Sequence, residues 1–227
     1  MQNKDLQFEP DIQKLVDDLY QPGYITEKFA NIGIPSLIIL SQVFRFDKSY
    51  LGSYLADVLI HNKKLYKDKD VLDLGSGCGV LGAICSKYGA KNVHFSDINP
   101  TAVKNSQLNS ILLDLKNVSF SCGDLFDNIP PDSKFDLIVF NPPNILGVPT
   151  DETQPALIRE DIIILNFYEN YKHFLKKNGV LILPGSSRFD GELSPIKMAK
   201  KNKLKLRIIN KLVEADGNHK YVLLINS

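Results

Sequence analysis

Five short apolar runs separated by helical patterns constrain this chain more than any other feature. They fall at residues 71–74, 93–96, 118–122, 135–140 and 180–183, each bounded by Gly, Asp, Asn or Pro, as buried strands are. Between them, residues 80–88 read as a helix closed by Gly89, and residues 101–113 as a helix opened by Asn99-Pro100. Residues 156–177 read as a third, ending in Lys176, Lys177, Asn178 and Gly179. Strands alternating with helices require a parallel sheet wound with right-handed crossovers. The tail departs from this rhythm: KLKLRIINKLVE and HKYVLLIN are extended runs joined by residues 214–218, which predicts a hairpin closing one sheet edge. At 227 residues with 44% apolar content, one main core is the expectation.

The sharpest motif is VLDLGSGCGVLG, a strand running through a glycine-rich turn into a helix. Gly77-x-Gly79-x-x-Gly82 satisfies the dinucleotide fingerprint, and Asp97, 18 residues beyond Gly79, suits its ribose acid, so a nicotinamide-dependent oxidoreductase is one reading. Asp73 points elsewhere. A pyrophosphate seeks the bare N–H groups of a helix N-terminus, where a carboxylate at the strand end repels it and a cationic ligand is attracted.

With the pattern Asp73-x-Gly75-x-Gly77-x-Gly79, the chain resembles the class I S-adenosylmethionine-dependent methyltransferases over roughly residues 70–227. The resemblance implies an α/β, Rossmann-like fold with a mostly parallel sheet of about seven strands and a C-terminal antiparallel hairpin. It also implies S-adenosylmethionine as cofactor. Asp73 then lies near the methionine end, and Gly75, Gly77 and Gly79 let the backbone approach the ligand. Asp97 holds the ribose hydroxyls with Ile98 beside it; Asp124 meets the adenine amine, with Leu125 or Phe126 on the ring. For Asp97 and Asp124 the alternative is a helix cap or a loop-solvating carboxylate.

Asn141-Pro142-Pro143 follows the fourth strand and resembles the [Asn/Asp/Ser]-Pro-Pro-[Tyr/Phe/Trp] motif of amino-group methyltransferases, which act on base amines or side-chain amides. An amide nitrogen is a poor nucleophile because its lone pair is delocalised. A site that accepts hydrogen bonds from its N–H groups can turn that lone pair toward the methyl carbon. The Asn141 side-chain oxygen and the Pro142 carbonyl are the expected acceptors, with Asn141 also facing the cofactor. Pro143 and Asn144 are the expected substrate contacts. Asn144 stands where the family carries an aromatic ring, which opens three options: another acceptor, a substitute ring from Tyr24, Phe44, Phe46 or Tyr50, or a non-catalytic partner protein. The acceptor class stays open among a protein glutamine, an RNA base amine and a small amine or amide. Oligomeric state is also open.

Residues 1–65 are expected to form a helical extension on the substrate side, with residues 66–227 as the cofactor-binding domain. In QVFRFDKSYLGSYLADVLI, Asp47 or Ser49 caps a helix, and Ser49 is placed near the methionine end by the resemblance. GYITEKFANIGIP reads as a loop, either lid or linker. With 27 Lys and Arg against 26 Asp and Glu, the net charge of +1 neither demands nor excludes nucleic acid. Lys197, Lys200, Lys201, Lys203, Lys205 and Arg207 form one basic run, either a solvated face or a phosphate contact. No secretory signal or membrane span is read, so a cytoplasmic protein is expected. Cys78, Cys85 and Cys122 form no CxxC pair, and His61, His94, His173 and His219 are scattered, so neither disulfides nor a metal site is expected.

Overall fold

Strand β3 (Asp70–Leu74) is buried from Val71 onward because it lies inside a seven-stranded sheet of order β10-β11-β9-β6-β3-β4-β5 in the computed structural model. The structure describes residues 22–29, 34–143, 145–146, 158–159, 161–189 and 191–226. Strands β4 (Asn92–Asp97), β5 (Val118–Cys122), β6 (Phe135–Phe140) and β9 (Leu175–Ser186) run parallel to β3. The expected hairpin is β10 (Leu206–Val213) with β11 (His219–Asn226), antiparallel and at the sheet edge.

The pleat divides side chains between two cores. Val71, Leu137, Val139 and Ile182 face one cluster. It is shared with α1 (Gly52–His61), α2 (Val80–Lys87) and part of α3 (Pro100–Leu112). Leu72, Leu74, Ile138 and Phe140 face the other, with α4 (Asp161–Asn170) and α5 (Pro195–Lys201). Two short strands, β7 (Ile145–Leu146) and β8 (Ile158–Arg159), pair in parallel apart from the main sheet.

Two expectations change. The helix expected over 156–177 is α4 alone within the described residues, followed by a 3-10 turn at Tyr171–Phe174. Lys176 to Gly179 belong to β9, because the Lys176 ammonium pairs with Asp70 at 2.5 Å and Asp136 at 2.8 Å, and Asn178 takes φ +68° at the register shift.

The loop expected in GYITEKFANIGIP is instead an antiparallel pair, β1 (Gly23–Phe29) and β2 (Ile34–Ile39), so the extension is not wholly helical. Its residues 30–33 lie outside those described. Ile34, Leu37 and Ile39 are buried in the same cluster as α2, so the core continues across position 65.

Helix α3 turns polar residues inward: Asn105, Ser106, Asn109 and Ser110 are buried while Leu108, Ile111 and Leu112 face solvent. Asn105 and Asn109, one helical turn apart, replace a neighbouring strand for β2. Asn109 accepts from the Ile38 N–H at 2.9 Å and Asn105 from the Leu40 N–H at 2.8 Å. Both donate to the Ile38 carbonyl at 2.8 Å.

Candidate functional site

The C-terminal ends of β3, β4, β5 and β6 open onto one crevice of about 1100 Å3, solvent at its mouth included. Ligands of open α/β sheets bind at this edge. The turn after β3 forms its floor. Gly75, Gly77 and Gly79 take φ of +65°, +55° and +82°, a region that side-chain-bearing residues enter at a cost. A Cβ on Gly77 would meet nothing within 4 Å, so the backbone there is open to a ligand, whereas one on Gly79 would press on Ser106 at 3.1 Å.

Asp73 sits behind this turn, 1% exposed and outside the crevice lining. Its Oδ2 accepts the Gly82 N–H at 2.8 Å, and its Oδ1 has no partner. Burial raises its pKa to about 8, against the lowering effect of the Gly82 bond, with the Asp97 charge raising it further. Asp97 lines the crevice, its Oδ2 accepting from Gly77 N–H at 2.8 Å and its Oδ1 from Asn99 N–H at 2.9 Å. Burial raises its pKa despite those bonds. The loop-bracing role and the crevice position therefore coincide in one carboxylate, since each oxygen keeps a further lone pair.

Ile98, Asp124 and Leu125 also line the crevice, and Leu125 takes φ +46°. Asp124 is exposed, with its pKa raised first by partial burial and then by Asp127. Phe126 is not at the crevice; it stacks on Phe174 at 4.7 Å in the core. Asn141 and Pro143 line the crevice beyond β6, and the buried Asn141 Oδ1 has no partner. Pro142 lines a smaller pocket on the other side of the turn, and Asn144 lies outside the described residues.

Ser49 is not in the lining. Its hydroxyl accepts the Gly52 N–H at 2.9 Å where α1 begins, the capping alternative for this residue, while Asp47 pairs with Arg45. Among the candidate substitute rings, Phe44 and Phe46 line the crevice, and Tyr50 bonds Glu214 and Arg188 outside it. The side chain of Tyr24 is outside the described residues.

The lining residues that went unassigned to the cofactor in the sequence include Gln42 at φ +66°, Phe44, Phe46 and, from α4, Ile163. Asn99 fixes the first of these, donating to the Gln42 carbonyl at 2.7 Å. The polar inner side of α3 also holds the glycine turn: Ser106 donates to the Gly77 carbonyl at 3.0 Å and Asn109 to the Cys78 carbonyl at 2.8 Å. The i, i+4 spacing of Asn105 and Asn109 was the available signal, although polar spacing alone does not say which side of a helix is inward. Among the described residues, no cluster of three His, Cys, Asp or Glu could hold a metal ion, and no helix is long and apolar enough to cross a membrane.

Residues 37–203 match the methyltransferase small domain. The chain belongs to that family. A Methanocaldococcus jannaschii protein, named provisionally as a protein N5-glutamine methyltransferase, is 36% identical over 169 residues, covering 68% of this chain and 80% of the relative. The release factor glutamine methyltransferase of Fusobacterium nucleatum is 36% identical over 92 residues, 40% of this chain but 26% of that protein. Among solved structures, a 16S rRNA N2 methyltransferase from T. thermophilus, in complex with AdoMet and guanosine, superposes with TM-score 0.61 at 19% identity. The match covers 92% of this chain and 51% of that one. A Lactobacillus delbrueckii ribosomal protein L11 methylase gives TM-score 0.53 at 24% identity, covering 74% and 75%.

This small-domain methyltransferase uses S-adenosylmethionine as its cofactor. Its own geometry fits that molecule. The Gly77 backbone leaves room for it, the partnerless Asn141 Oδ1 suits a hydrogen-bonding ligand, and among the described residues no basic side chain lines the crevice to hold a pyrophosphate. The nicotinamide reading falls with this, and Gly82 serves packing instead, since a Cβ there would lie 2.3 Å from the Phe95 ring.

Proposed function

We propose that the chain methylates the side-chain amide nitrogen of a glutamine in a protein. The observation that carries this reading is the buried, partnerless Oδ1 of Asn141 at the edge of the crevice. An unpaired buried acceptor costs about 1–3 kcal/mol, so a site that keeps one offers it to a ligand donor. In this reading Gly75, Gly77 and Gly79 cradle the cofactor, Asp97 takes its ribose, and Ile98, Asp124 and Leu125 flank its adenine. Bound there, S-adenosylmethionine supplies an electrophilic methyl on a sulfonium. Asn141 and the Pro142 carbonyl accept the amide N–H groups and so turn the nitrogen lone pair toward the methyl. The prolines fix the turn, since each locks φ and removes a donor. The amide nitrogen would gain the methyl as the C–S bond breaks with its electrons left on sulfur, and the amide proton would leave to solvent. No general base is required, because positioning supplies much of the rate.

The choice of glutamine is supported by the archaeal relative, of which this chain covers 80%. An RNA base amine is the runner-up. Against it, the exposed run Lys200 to Arg207 lies at the far edge of the sheet, because β10 is parallel to β6 and these residues stand at its start, opposite Asn141. The test is transfer of labelled methyl from S-adenosylmethionine into protease-treated and ribonuclease-treated fractions. Asn141→Ala should lower kcat by roughly 10²–10³ with cofactor affinity kept, by analogy with the loss of one transition-state hydrogen bond. Label released by ribonuclease alone, or wild-type turnover in Asn141→Ala, would overturn the reading.

A further inference from the structure

Behind the Asn-Pro-Pro turn lies a second pocket of about 380 Å3, its mouth included, separated from the crevice by Phe140 and Pro143, which line both. Phe189 forms one wall and Ser194 another, and among the described residues the lining carries no charged side chain. Phe189 is 39% exposed and is held edge-on to Tyr50, ring centroids 6.0 Å apart. Tyr50 is itself fixed from both sides: Arg188 Nε donates to its hydroxyl at 3.0 Å, and Lys220 Nζ lies 3.7 Å from its ring centroid.

Ser194 is the unusual member. It is 3% exposed and occupies the N-cap position of α5, yet its hydroxyl makes no capping bond and has no partner. A buried hydroxyl without a partner destabilises the protein that keeps it. The natural alternatives at this place are an alanine or a hydroxyl that caps, so the retained group is explained by a ligand atom that reaches it.

We infer that Ser194 and Phe189 are specificity-determining residues that bind the neutral body of the acceptor beside the amide being methylated. Phe189 gives it a flat apolar wall in a site whose motif has Asn144 in place of a ring, and Ser194 gives its one hydrogen bond. An acceptor whose body is charged is rejected, because an α-ammonium or α-carboxylate entering this pocket loses its hydration and meets no counter-charge. The inference rests on the glutamine reading above and deepens it.

The experiment uses the full chain with two probes, N-acetyl-glutamine methylamide and free zwitterionic glutamine, each with S-adenosylmethionine. The wild-type protein should methylate the capped, neutral probe alone. Ser194→Ala should raise its KM by about 2- to 13-fold, the range of one neutral hydrogen bond, leave cofactor affinity unchanged, and hold or raise the ligand-free Tm. Phe189→Ala should raise KM with cofactor affinity likewise unchanged. Unaltered KM in both variants, a lowered ligand-free Tm in Ser194→Ala, or equal transfer to free glutamine would overturn the inference while leaving glutamine methylation standing. Transfer to neither probe by the wild type would sink both.

Discussion

Replacing the glycines of the turn one at a time by alanine separates what the cofactor needs from what the fold needs. At Gly77 the added methyl meets no protein atom within 4 Å, so the only penalty in the free protein is the φ of +55°. That costs about 1–2 kcal/mol, or about 2–8 °C in Tm for a chain of this size. The same methyl occupies the space the ligand must enter, and overpacking by one methyl costs roughly 1–3 kcal/mol, or about 5- to 160-fold in cofactor Kd. Gly79→Ala combines φ +82° with contacts of 3.1–3.2 Å to the Cα, Cβ and Oγ of Ser106, and backbone cannot move aside as a side-chain tip can. The cost there rises to about 2–5 kcal/mol. Gly82→Ala has no φ penalty but drives a methyl to 2.3 Å from the buried Phe95 ring. It should destabilise strongly while the surviving folded fraction binds cofactor. Calorimetric titration with S-adenosylmethionine and thermal unfolding of the three variants measure both quantities. The reasoning fails if Gly77→Ala binds with wild-type affinity, or if it unfolds at a lower temperature than Gly79→Ala.

Asp73 predicts a pH dependence. Its folded pKa of about 8 is raised above the ordinary carboxylate value of 3.8, so its contribution to stability is complete below about 4 and is lost as pH rises through about 8. Ligand-free Tm should therefore fall across that window, less so in Asp73→Asn, while a bound cation opposes the loss; a flat difference between wild type and variant refutes the assignment. Asn109→Ala strips partners from the Ile38 N–H and the Cys78 carbonyl, and each group left unpaired costs about 1–3 kcal/mol, read as a lower urea midpoint. Faster amide exchange should be confined at first to Ile38 and its neighbours in β2, and unchanged exchange there counts against the clamp. Tyr50→Phe removes the hydroxyl that bonds Arg188 and Glu214 but keeps the ring beside Phe189, so acceptor KM should change less than in Phe189→Ala.

The sequence by itself determined the parts whose signals are local. Apolar runs of strand length, Asn99-Pro100 ahead of α3, the glycine turn and the acids at successive strand ends each depend on residues within about one element of one another. They gave β3, β4, β5, β6 and β9 as parallel strands along the chain, the closing hairpin, and crevice positions for Gly75, Gly77, Asp97, Ile98, Asp124, Leu125 and Asn141. Tertiary structure decided the rest, because those choices are made by partners far apart in the chain. GYITEKF became a strand through its pairing with β2, and β2 is held by Asn105 and Asn109, some 70 residues away, whose buried amides supply the bonds a neighbouring strand would. Lys176 was drawn into β9 by Asp70, 106 residues earlier. Ser49 spent its hydroxyl on the start of α1, while Gln42, Phe44 and Phe46 became crevice walls once Asn99 fixed the Gln42 carbonyl. Nor could periodicity show that the Ser194 hydroxyl lacks a partner, since an unmet hydrogen bond is a property of everything packed around it.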